Sequence, residues 1–221
     1  MVETELSRAG LPIPVPLVLA LMDLESNGVA GAVNASSGAS GLLQVMPGTL
    51  ADYNAQHAVK VTLDEMRSPG DANGQKQIRV GLWVLGQFWK GAYKYLLKRL
   101  STVPTDELAK IADLFYAAGP GATKKKLDTL TIPTFQNVAA AFPSWKAIGH
   151  ANTVFKRLAD IDPQPFNLDA IADWLHGALT PPKGKRPIDG FILGAIVILL
   201  ALWYFKKGAK NGKENQTNNE N

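Results

Sequence analysis

Apolar residues along the chain fall mostly at helical spacing. Leu17, Leu21 and Leu24 lie on one side of a helix predicted from about Pro16 to Glu25, and Pro16 suits its first turn. A longer helix is expected over about 77–100, with Ile78, Leu82, Leu85, Trp89 and Tyr93 along one side. Further helices read at about 105–118, 134–141, 144–160 and 167–178, and another starts near Thr49. Residues 1–15, broken by Pro12 and Pro14, read as an irregular lead-in, and 54–75 as a looser polar segment. Only Leu42 to Met46 suits a short strand, ahead of the turn at Pro47-Gly48. The pattern predicts a mainly α domain with a small strand/loop element.

Two stretches break the helical rhythm. Glu25 to Thr49 reads ESNGVAGAVNASSGASGLLQVMPGT, a glycine- and serine-rich loop entered from an apolar helix and closed by an apolar segment with one polar side chain, Gln44. Such a loop lets backbone approach a ligand closely, and the arrangement suggests an acid beside a cleft. The second break is at 181–187, rich in proline and lysine, which reads as a linker. After it, 188–205 carries one charge, Asp189, in an apolar run close to the length that spans a hydrocarbon core. Trp203, Tyr204 and the lysines at 206, 207 and 210 suit its polar boundary. The expected organisation is a lead-in (1–15), a helical domain (16–180), a linker (181–187), a single transmembrane helix (188–205) and a polar tail (206–221).

Composition narrows the chemistry. With 221 residues, 46% hydrophobic and 19% charged, the chain can bury one medium core and carry an appendage. It has no cysteine, which excludes disulfides and thiol nucleophiles, and its three histidines, His57, His150 and His176, are scattered, so no metal or other cofactor is expected. A net charge of +4 suits anionic polymers or lipid headgroups, but no nucleic-acid-binding motif accompanies it. The apolar run Leu11 to Met22 lacks a basic lead and contains prolines, so no signal peptide is expected. Basic residues flank 188–205 almost equally, leaving its orientation open.

A carboxylic acid can deliver a proton at neutral pH where its surroundings oppose ionisation, and the apolar helix ahead of Glu25 offers such surroundings. Most glycosidases add a second carboxylate. Asp23 is about 200° round the helix from Glu25, and Asp52, Asp71 and Asp113 sit in no recognisable second motif, so a single acid is the economical reading.

Three segments carry a resemblance. Glu25-Ser26, with Gly38-Ala39-Ser40-Gly41-Leu42-Leu43-Gln44-Val45-Met46-Pro47-Gly48-Thr49, resembles the core motif of the soluble lytic transglycosylase family, related to goose-type lysozymes. Gln77-Ile78-Arg79-Val80-Gly81-Leu82-Trp83-Val84-Leu85 is similar to a family helix that has Asn at the first position and Tyr where Val84 stands. Phe115-Tyr116-Ala117-Ala118-Gly119-Pro120-Gly121 resembles a third motif, with Ala117 replacing Asn. These motifs lie within 16–125, and 126–180 is a helical extension without one.

The resemblance implies a lysozyme-like domain that cleaves the bond between N-acetylmuramic acid and N-acetylglucosamine in peptidoglycan, leaving a 1,6-anhydro end. Glu25 would act as acid and then base, with Ser26, Ser40, Gln44 and Tyr116 near substrate and Gly38 and Gly41 keeping the cleft floor low. A wall-cutting domain joined to a span resembles lytic enzymes carried in bacteriophage particles with an internal membrane. The expected partners are peptidoglycan strands, the lipid membrane and other virion membrane proteins, and the expected location is a virion membrane or bacterial inner membrane. A water-using muramidase and a non-catalytic glycan-binding virion protein are the alternatives. Trp83, Trp89, Tyr93, Trp145 and Trp174 read mainly as core, and Lys124 to Lys126 as a solvated face.

Overall fold

The computed structural model describes residues 1–162 except 12 and 102, all within one compact unit, Met1–Trp174. Its element order is α1 (Val2–Ala9), α2 (Val15–Ser26), α3 (Pro47–Gln56), α4 (Leu63–Arg67), α5 (Asp71–Leu96), α6 (Thr105–Ala118), α7 (Pro120–Leu127), α8 (Phe135–Ala141) and α9 (Lys146–Ile161). The domain is mainly helical, and among the described residues there is no sheet.

The expected strand at Leu42 to Met46 is instead a tight turn. Gly41 at φ 81° and Gln44 at φ 42° fold the chain back, so that Val45 and Ser40 exchange backbone hydrogen bonds as an isolated bridge. Two left-handed residues within four positions leave no extended run to pair.

Residues 1–15 also differ from the irregular lead-in. Val2–Ala9 form α1, with Glu3 and Glu5 in the first turn, Arg8 in the last and Gly10 as a left-handed cap at φ 59°. Val2 and Leu6 are buried, and so is Glu5, which accepts hydrogen bonds from Arg79 at 3.0 Å, Gln75 at 2.9 Å and Arg8 at 2.9 Å. The Arg79 hydrogen bond holds the Glu5 carboxyl below its ordinary range in spite of burial.

The polar segment 54–75 contains α4, opened by a reciprocal capping box between Thr62 and Glu65. Helix α5 begins at Asp71 and ends at Leu96, shifted towards the N-terminus of the expected 77–100. It is the central helix: Ile78, Leu82, Leu85 and Trp89 join α2, α6 and α9 in the main core. Gly81 makes one of its contacts possible, since a Cβ there would lie 2.3 Å from Leu43 Cδ1. Helix α7 has Pro120 in its first turn and follows α6 after Gly119 alone, over a segment where the pattern marked no separate helix.

Among the described residues no helix is long and apolar enough to cross a membrane. The helix expected at 167–178, the linker, the span at 188–205 and the tail lie outside the described residues.

Candidate active site

Glu25 stands in the last turn of α2. The helix stops one residue later because Asn27 adopts φ 52° and Gly28 φ 70°, and their N–H groups return to Asp23 and Met22 carbonyls. Ser26 fastens this end: its hydroxyl lies 2.9 Å from the carbonyls of both Met22 and Leu42, joining the helix to the loop.

The loop is pinned from within and from below. Asn34 Oδ1 accepts from Ser36 and Ser37 N–H at 3.0 and 3.2 Å, an Asx-type turn. Below it, Gln77 of α5 is fully buried and its amide is saturated. Its Oε1 accepts from the N–H groups of Gly31 and Leu42 at 3.1 and 3.2 Å, and its Nε2 donates to the carbonyls of Glu65 and Ser68 at 3.1 and 2.9 Å. One side chain therefore ties the loop to α4. Gly41 packs so closely on it that a Cβ would meet Gln77 Cγ at 3.0 Å.

The residues expected at the substrate surface divide. Gln44 is half-buried, and its Nε2 donates to the carbonyls of Ala32 and Gly41 at 3.2 and 3.0 Å, so the amide braces the loop. Ser40 is fully buried and its hydroxyl has no hydrogen-bond partner among the described residues, so it presents no side chain to a sugar in this conformation. Gly38 and Gly41 hold left-handed turns at φ 75° and 81°. Tyr116 donates its hydroxyl to the Leu43 carbonyl and packs edge-on against Phe88 at 6.0 Å. Burial, with the negative charges of Glu25 and Asp113, pushes the Tyr116 phenol well above its ordinary range, so it remains a hydrogen-bond donor. Ala117, where the resemblance would place Asn, is exposed.

Two residues that the motifs did not mark complete the cluster. His150 of α9 lies with Nε2 2.8 Å from Glu25 Oε1 and Nδ1 2.9 Å from Asp113 Oδ2. Its ring centre is 6.2 Å from that of Tyr116. Asp113 is 5% exposed and its Oδ1 has no partner among the described residues, whereas the Glu25 side chain keeps 20% of its surface open. Burial opposes a charge on His150, but its hydrogen bonds to Asp113 and Glu25 outweigh that and push it up to about 10. Burial, aided by the charge of Glu25, raises the Asp113 carboxyl, and His150 works against the rise. Asp113 could have been noticed because it precedes Tyr116 by three residues and so shares its face of α6. His150 could have been noticed as the one titratable residue within the stripe Ala147, Ile148, Ala151 and Val154, all buried. Among the described residues no group of acidic or histidine side chains could hold a metal ion.

The class defined by these helices and this loop is a small helical enzyme domain of lysozyme-like kind. The model of the transglycosylase SLT domain family matches residues 9–136, more than half of the chain, and the chain belongs to that family. Its members are lytic transglycosylases, which cleave peptidoglycan by lyase-type chemistry, and this chain is an enzyme of that type. No curated protein and no solved structure matches it.

Proposed function

We propose that the chain cleaves the β-1,4 bond between N-acetylmuramic acid and N-acetylglucosamine and closes the muramoyl end as a 1,6-anhydro sugar. Glu25 protonates the glycosidic oxygen and then takes the proton of the muramoyl 6-hydroxyl, whose attack replaces water. The observation that carries this reading is the position of Glu25, partly open at the end of α2 and hydrogen-bonded on one oxygen beside the stapled loop 27–46. Gln44 acts mainly by holding that loop, and Tyr116 by fixing the Leu43 carbonyl. Mass spectrometry of digested peptidoglycan tests it: anhydromuropeptides are expected, and reducing ends in their place would make the chain a muramidase.

The apolar run 188–205 between basic flanks supports a membrane anchor for this domain. An anchored wall-cutting enzyme suits the internal membrane of a virion, where it would open the wall locally as a genome enters. Deleting 188–205 is expected to abolish co-flotation with lipid vesicles. Continued flotation would remove the anchor, and with it the support for a virion membrane.

A further inference from the structure

The Glu25–His150–Asp113 chain joins three helices, α2, α9 and α6. The family match ends at residue 136, so α9 and its histidine lie beyond it. The groups facing the His150 ring are Glu25 from α2 and Asp113 and Tyr116 from α6. Farther along α9, Arg157 is occupied in an ion pair with Asp23 of α2. Tyr116 directs its proton to the Leu43 carbonyl, so among the described residues the groups hydrogen-bonded to the ring are two carboxylates.

Asp113 fixes the tautomer. Its buried carboxylate is stabilised by a donor, which places a proton on Nδ1 and turns Nε2 towards Glu25. The 2.8 Å contact between Nε2 and Oε1 then holds one proton, as imidazolium with carboxylate or as neutral imidazole with carboxylic acid. A glutamate alone in water loses its proton near pH 4.3, far below neutrality.

We propose that His150, set by Asp113, is a positioning residue for Glu25 and keeps beside it the proton that Glu25 delivers to the glycosidic oxygen. This inference rests on the reading of Glu25 as the acid. The proton passes from Nε2 to Oε1, leaving a neutral imidazole. Glu25 gives it to the glycosidic oxygen as the bond from that oxygen to the muramoyl C1 breaks. The muramoyl 6-hydroxyl then bonds to C1 and releases its proton to the Glu25 carboxylate, from which the imidazole recovers it. The pair ends with the protons it had at the start, ready for another strand.

The test compares full-length wild type, His150→Gln, His150→Asn and Glu25→Gln on purified peptidoglycan, following kcat and KM over about pH 5 to 10. His150→Gln retains an amide that can hold Glu25 but cannot carry the proton. We expect its kcat near neutrality to fall about tenfold to a hundredfold with little change in KM. We also expect the alkaline limb of kcat/KM to move down by about two pH units or more. A limb and kcat like those of wild type, with Glu25→Gln inactive, would overturn this inference and leave the acid in place. An active Glu25→Gln would overturn both. If neither His150 variant folds, ring nitrogen and side-chain carboxyl NMR of the wild type decides: both ring nitrogens protonated near pH 8 is the expected result, and a neutral ring beside an ionised Glu25 there overturns the proposal.

Discussion

Gln77 and Asp113 are both buried polar side chains next to the loop or the acid, and their surroundings are opposites. Gln77 is neutral, and all four of its hydrogen-bonding positions are taken by backbone. Asp113 is ionisable, one of its oxygens has no partner among the described residues, and the other begins a chain that ends at the partly open Glu25. Complete satisfaction makes a buried amide part of the scaffold, because every change in it leaves a backbone group unpaired. Incomplete satisfaction around a titratable group leaves it able to respond when a proton moves. The two regions thus separate what holds the loop from the titratable cluster proposed to carry the chemistry.

The largest effect is expected on the chemical side. Glu25→Gln should lower wall cleavage by about 10²- to 10⁴-fold while the chain still folds cooperatively, and a clearing zone equal to wild type in a zymogram would contradict the comparison at its root. On the scaffold side, Gln77→Leu should cost about 3 kcal/mol or more of folding stability, since it leaves two N–H groups and two carbonyls without partners. A loss below about 1 kcal/mol in urea unfolding would mean that water replaces the amide readily. Gly81→Ala presses a methyl group into Leu43 and should cost about 1–3 kcal/mol, read in the same unfolding curves.

The smallest effect sharpens the chemical half. His150 is held at about 10 in the folded chain, above its ordinary 6.5. Its contribution to stability is therefore complete below pH 6.5 and is lost as pH rises towards 10. The wild-type melting temperature should decline across that window, and His150→Asn should show a shallower decline. Equal slopes would show that the ring is not charged in the fold.

Local signals made much of this legible. Helix α6 matches its expected bounds, 105–118, and α2, α8 and α9 lie within a residue or two of theirs, because apolar spacing and Pro16 reveal them directly. The loop and Glu25 were visible through glycine content and motif. Helix α1 was obscured by its charges: Glu5 reads as surface, yet three partners from α1 and α5 allow it to be buried. The turn at 41–44 looked like a strand because Leu42, Leu43 and Val45 are apolar, whereas left-handed backbone at Gln44 depends on its side chain bracing Ala32 and Gly41. His150 stayed hidden because a lone histidine acquires meaning only from what a distant helix brings to it.

Glu25 and His150 are 125 residues apart in the chain, joined by the packing of α9 on α2. That makes their meeting a late event in folding, since contacts of long sequence separation form against the greatest loop entropy. A polypeptide still being synthesised would carry the whole glycine-rich motif well before the ring that faces its glutamate had been made. A cut between α7 and α9 would likewise preserve all three motif segments and separate Glu25 from His150. Glu25 therefore meets His150 only once the C-terminal part of the domain has been made and has packed.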